Sequence, residues 1–67
     1  MKAEHDVPTY QNYRITYQRE DGQSGVFFVR EDCSSSALIS FQLAMNRPRE
    51  SVTSVEVQSG RRWVRIS

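Results

Sequence analysis

The chain has 67 residues, with nine basic against eight acidic side chains, a formal charge of +1 and 37% hydrophobic residues. That length is one small domain and excludes a multidomain enzyme, while the near-neutral balance excludes a whole-molecule attraction to nucleic acid or an anionic membrane surface. The single cysteine excludes an internal disulfide, so a thin core must offset the ordering cost of the chain, which predicts marginal monomer stability or help from a partner.

Residues 1–8 (MKAEHDVP) are polar, mixed in charge and end in proline, which predicts a flexible N-terminal tail before a single α+β domain over residues 9–67. The tail has no apolar stretch of the kind a signal peptide needs, and no window approaches the roughly 20 apolar residues of a membrane span. With the lone thiol, this predicts a soluble, cytoplasmic protein.

Tyr10 to Gln18 (YQNYRITYQ) alternates apolar and polar residues, the period of a half-buried strand. Asp21-Gly22 follows, a pair suited to a two-residue hairpin loop because a type I′ turn needs positive φ at both central positions. The second strand then runs from Ser24 to Arg30, with Tyr17 opposite Val26, Ile15 opposite Phe28 and Tyr13 opposite Arg30. Ile15, Tyr17, Val26 and Phe28 share the core face in this register, leaving Arg14, Thr16, Gln18, Phe27 and Val29 on the other. Gly25, early in the second strand, marks a bulge or a close approach.

Glu31 to Ser36 (EDCSSS) is rich in side chains that accept hydrogen bonds from free amides, which places a helix N-cap among Asp32 to Ser35. The serines read as capping residues rather than as a phosphorylation site. Ala37, Leu38, Phe41, Ala44 and Met45 form one helical stripe, widened by Ile39 and Leu43. The helix stops near Asn46, which tolerates the left-handed position, ahead of Pro48. Ser51 to Gln58 and Arg61 to Ile66 form a second hairpin around Ser59-Gly60, with Val55 opposite Val64, Val57 opposite Arg62, Glu56 opposite Trp63 and Ser54 opposite Arg65. Val55, Val57, Val64 and Ile66 face the core, and Ser54, Glu56, Arg61, Trp63 and Arg65 face away.

The order ββαββ predicts a two-layer α+β fold, a four-stranded antiparallel sheet with one helix on one face. The other face is uncovered and should hold Trp63, Phe27 and Val29 beside Arg14, Arg61 and Arg65. Aromatic residues and arginine are enriched at interface centres, so the leading expectation is a non-enzymatic module for protein–protein or self association, a homodimer being one form. The alternative is a nucleic-acid-binding accessory protein, its rings stacking on bases and its arginines tracking phosphates. A third reading is structural, with Trp63 lying under the N-terminal tail or packed at a sheet edge with an arginine over its ring. Five of the nine basic residues fall after position 46, and Arg47 and Arg49 would make one basic edge with Arg61 and Arg62 if strand order brings them together.

No enzyme is expected, because no acid, base and nucleophile cluster is present. Cys33 near a helix N-terminus, with His5 as base, is the weak exception. No cofactor or small-molecule substrate is implied, and one cysteine with one histidine cannot close a zinc site. The three glycines are too scattered for a phosphate-binding loop.

Overall fold

A computed structural model of the chain describes residues 9–67. Its first hairpin is shaped by one residue. Gly22 takes φ 87°, whereas Asp21 is not among the positive-φ residues, so a type I′ turn does not form. Instead Gly22 N donates to Arg19 O at 3.0 Å and Arg19 N donates to Gln23 O at 2.7 Å. The loop is therefore the three residues Glu20, Asp21 and Gly22, a tight turn closed by a left-handed glycine that forms the bulge. Asp21 Oδ1 accepts the Gln23 amide at 2.9 Å and steadies it.

The extra loop residue moves the pairing by one. β1 (Gln11–Gln18) and β2 (Ser24–Glu31) pair with Tyr13 opposite Val29, Arg14 opposite Phe28, Ile15 opposite Phe27 and Tyr17 opposite Gly25. A one-residue slip exchanges the two faces of a strand, so the expected faces of β2 are reversed. Phe27 and Val29 stand on the core side with Tyr13, Ile15 and Tyr17, while Val26 and Phe28 project from the other side.

The helix α1 (Ser34–Met45) ends at Asn46 in the left-handed conformation, φ 53° and ψ 43°, as the sequence predicts. Its N-cap is Cys33, which lies within the expected span, but no side chain caps it. Ser34 to Ser36 form the first turn, so the serines do not cap. α1 is tied to β2 by Ser40 Oγ, which donates to Glu31 Oε2 at 2.7 Å. A short 3-10 turn, Arg49–Ser51, then leads into β3 (Val52–Ser59), with Ser51 Oγ donating to Pro48 O at 2.6 Å. β4 (Arg62–Arg65) completes the antiparallel sheet. The strand order is β2-β1-β3-β4, the expected α+β architecture with β1 inserted between β2 and β3.

In the second hairpin the loop is Gly60-Arg61 rather than Ser59-Gly60. Glu56 is opposite Arg65, Val57 opposite Val64, Gln58 opposite Trp63 and Ser59 opposite Arg62. Gly60 alone in the loop has positive φ, 64°, as a II′ turn with glycine at its first position requires. The displacement from the expected register is two residues, so each side chain keeps its face.

Phe41 is fully buried at the centre of the core, its ring 4.9 Å from Tyr17 and 5.7 Å from Phe27. Tyr13, Ile15, Tyr17, Ala37 and Val55 complete the buried cluster. α1 packs on β2 and β1, because a single helix about 10 Å across covers roughly two strands spaced about 4.8 Å apart. Val64 and Ile66, expected in the core, share its side of the sheet but lie beyond the helix and are 45% and 46% exposed. Ile39 and Leu43 point to solvent. The expected tail lies outside the described residues.

Gly25 is required by packing. A Cβ there would meet Tyr17 Cζ at 2.5 Å, and the Tyr17 ring, held against Phe41, has little room to retreat. Gly25→Ala is expected to destabilise the protein by about 1–3 kcal/mol through overpacking. Denaturant unfolding checks it, and an unchanged midpoint at constant slope would contradict the Tyr17 placement.

Candidate functional site

The face opposite the helix is built on one row of residues across the sheet. Arg14 on β1 stands opposite both Phe28 on β2 and Glu56 on β3, and Glu56 stands opposite Arg65 on β4. Arg14 and Glu56 make a forked pair: Nε donates to Oε1 at 2.7 Å and Nη2 donates to Oε2 at 3.0 Å. Two parallel bonds fix the guanidinium plane, and the side chains are only 32% and 20% exposed. Beside them Asn12 Nδ2 donates to Gln58 Oε1 at 2.9 Å, again joining the two hairpins across β1 and β3.

Trp63 starts from the edge strand β4 and reaches inward. Its ring lies over Arg14, with Cζ 4.7 Å from the ring centroid, a stacking distance for a guanidinium on an indole. The ring also approaches Phe28, centroid to centroid 6.0 Å, at an interplanar angle of 57°. Glu56 holds Arg14, Arg14 supports Trp63, and Trp63 leans on Phe28. Phe28 remains 63% exposed and Val26, on the same face, 50% exposed. The result is an apolar ridge over an Arg14–Glu56 pair whose two charges cancel.

Of the residues expected on this face, Trp63, Arg14 and Arg65 are brought together. Phe27 and Val29 are not: the three-residue loop turns them toward the helix, where they pack against the core. Arg61 occupies the β3–β4 loop rather than the face. Phe28, Val26 and Glu56 belong to the face, with Phe28 and Val26 in the places assigned to Phe27 and Val29. The signal for them was Gly22, which serves a three-residue loop as well as a two-residue one. Glu56 was placed on this face, but its bond to Arg14 depends on β1 lying beside β3. An arginine over the ring of an edge tryptophan, the structural reading of Trp63, is also present.

Arg65 is directed to the backbone, Nε donating to Ser67 O at 3.3 Å and Nη2 to Thr53 O at 3.5 Å. The anticipated basic edge does not form. Thr16 pairs with Ser54 and Tyr13 with Val57, so Arg47 and Arg49, before β3, lie at the opposite end of the sheet from Arg61 and Arg62. Arg47 instead donates to Gln18 O at 2.9 Å and lies 3.7 Å from Glu20, in an open groove of about 440 Å³ lined also by Tyr17, Arg19, Asp21 and Met45. That groove is remote from Trp63 and holds charges of both signs. Cys33 is exposed, and His5 lies outside the described residues. Among the described residues no group of three or more His, Cys, Asp or Glu could hold a metal ion, and no helix is long and apolar enough to cross a membrane.

No protein-family model matches the chain, and no curated protein or solved structure matches it.

The Arg14–Glu56 pair has a pH signature. Hydrogen bonding to Arg14, opposed by partial desolvation and aided by the charges of Arg14 and Arg65, holds the Glu56 carboxyl below its ordinary value of 4.5. A depressed folded-state value contributes stability that is present above the unfolded value and is lost as the pH falls through the folded one. On acidification below 4.5, wild-type protein is therefore expected to lose stability more steeply than Glu56→Gln, so that the two unfolding curves converge in acid. Parallel curves from neutral to acid pH would show that the pair contributes nothing in solution.

Proposed function

We propose that the chain is a small non-enzymatic binding module whose open sheet face takes up a protein partner. The observation that carries the reading is the exposed Phe28 and Val26 beside Trp63, over a centre where Glu56 neutralises Arg14. Large aromatic residues on a rigid sheet bury much area at little entropic cost, and such residues with arginine dominate interface energetics.

The charge arrangement favours a protein over a single-stranded nucleic acid. A nucleic-acid platform needs free cations around its stacking rings. Here Arg14 is bound by a carboxylate and Arg65 is directed to backbone carbonyls, which leaves, among the described residues, Arg30, at the end of β2 opposite Asn12, as the exposed cation of the face.

Trp63→Ser and Phe28→Ser, both near-surface changes, are expected to retain the unfolding free energy to within about 1–2 kcal/mol and to weaken binding of a partner identified with the wild-type chain by about 30-fold or more, the loss of a hot-spot residue. Arg61→Gln, in the loop, should leave that affinity within about threefold. Titration of the free protein with mixed-sequence single-stranded DNA and RNA is the opposing test. Shifts of the Trp63 indole that fade steeply with salt, by counterion release, would transfer the face to nucleic acid, and the protein reading expects none at moderate salt.

A further inference from the structure

We propose that two copies of this chain pair antiparallel along β2, with the two-fold axis at Phe27, to form one continuous eight-stranded sheet. Among the described residues no strand pairs with the outer side of β2. Edge strands are usually protected by being short, or by charged side chains, proline or a bulge. β4, the other edge, is four residues long, and its Arg65 side chain folds over its end. β2 is eight residues long, SGVFFVRE, with no proline, its two charged residues Arg30 and Glu31 confined to its end, and no register shift against β1.

The hairpin loop fixes which backbone groups this edge offers. The Arg19 amide donates to Gln23 O, which makes Arg19 and Gln23 a hydrogen-bonded pair, and such pairs alternate along an antiparallel ladder. Gly25, Phe27 and Val29 therefore bond inward to β1, while Ser24, Val26, Phe28 and Arg30 turn their N–H and C=O groups outward. Pairing about Phe27 sets Ser24 opposite Arg30 of the second copy and Val26 opposite its Phe28. All four outward residues of each strand are then bonded. A register centred on Phe28 would leave Ser24 without a strand partner.

Three further features agree with that register. It joins Val26 to Phe28, two of the exposed apolar residues of the open face, as a cross-strand pair of the stabilising kind. It opposes no like charges, since Arg30 meets Ser24 and Glu31 meets Gln23. It also sets the helices correctly. α1 lies over β2 and β1, so with strands about 4.8 Å apart the two helix axes come about 10 Å from each other, near the packing distance of helices. The flank of α1 toward β2 is marked by the Ser40–Glu31 bond and, one turn on, carries Ala44, both small enough for that approach.

This inference uses the β2 edge and does not rest on the open-face reading. Amide hydrogen exchange on the full chain tests it without mutation. The Val26 and Phe28 amides are expected to be as protected as those of Phe27 and Val29 at high concentration and to lose protection on dilution. In light scattering, Val26→Pro, which removes only an outward N–H and places proline where an edge strand accepts it, should give a monomer with an unchanged fold. Trp63→Ser should leave the dimer intact. Val26 and Phe28 amides that exchange freely at every concentration would overturn the proposal, and so would a dimer that survives Val26→Pro or is lost with Trp63→Ser.

Discussion

The left-handed glycine at position 22 is the constraint on which both faces of the sheet depend. Only Gly22 in that loop adopts positive φ, so the loop takes three residues and the ladder closes with Arg19 against Gln23. Because side chains alternate along a strand, this decides that Phe27 and Val29 meet Phe41 and that Val26 and Phe28 face outward. It also decides which amides of β2 point to solvent. A loop one residue shorter would exchange the core and the surface of the whole strand.

The two layers are stabilised by different chemistry. On the helix side, burial of Phe41, Ile15, Val55 and Tyr17 provides non-directional stabilisation proportional to apolar area. Among the described residues the other side has no covering layer, and the hairpins are joined there by directional contacts, Arg14 to Glu56 and Asn12 to Gln58. Those contacts hold the Trp63 ring across the sheet without burying Phe28. A surface arranged in this way is rigid and apolar, with Arg14 neutralised by Glu56 at its centre, and the proposed protein partner rests on those features.

The sequence reveals the elements and most of the second hairpin. Alternation in YQNYRITYQ, the helical stripe around Phe41 and the Asn46-Arg47-Pro48 ending identify the strands and the helix. In the second hairpin the loop lies one residue further along than expected, yet the resulting shift is even, and Trp63 and Arg65 stay on their face. The first hairpin is ambiguous for a physical reason. Val26, Phe27, Phe28 and Val29 are four consecutive apolar residues, so either parity buries a Phe and a Val, and the pattern cannot correct a wrong loop length. The Arg14–Glu56 pair spans 42 positions in sequence and forms only because β1 lies beside β3. The bare N-cap at Cys33 is likewise hidden, since three serines follow it and any of them has the chemistry to cap.

The most direct measurement is a set of nuclear Overhauser contacts from the Trp63 indole in the full chain. Contacts to the Phe28 ring and the Arg14 side chain, with none to Phe27, are expected from a ladder in which Arg14 opposes Phe28. Contacts from the indole to Phe27, together with a Phe28 ring packed on Phe41, would show the shorter loop and the opposite face, and both the open-face site and the β2 pairing register would fall with it.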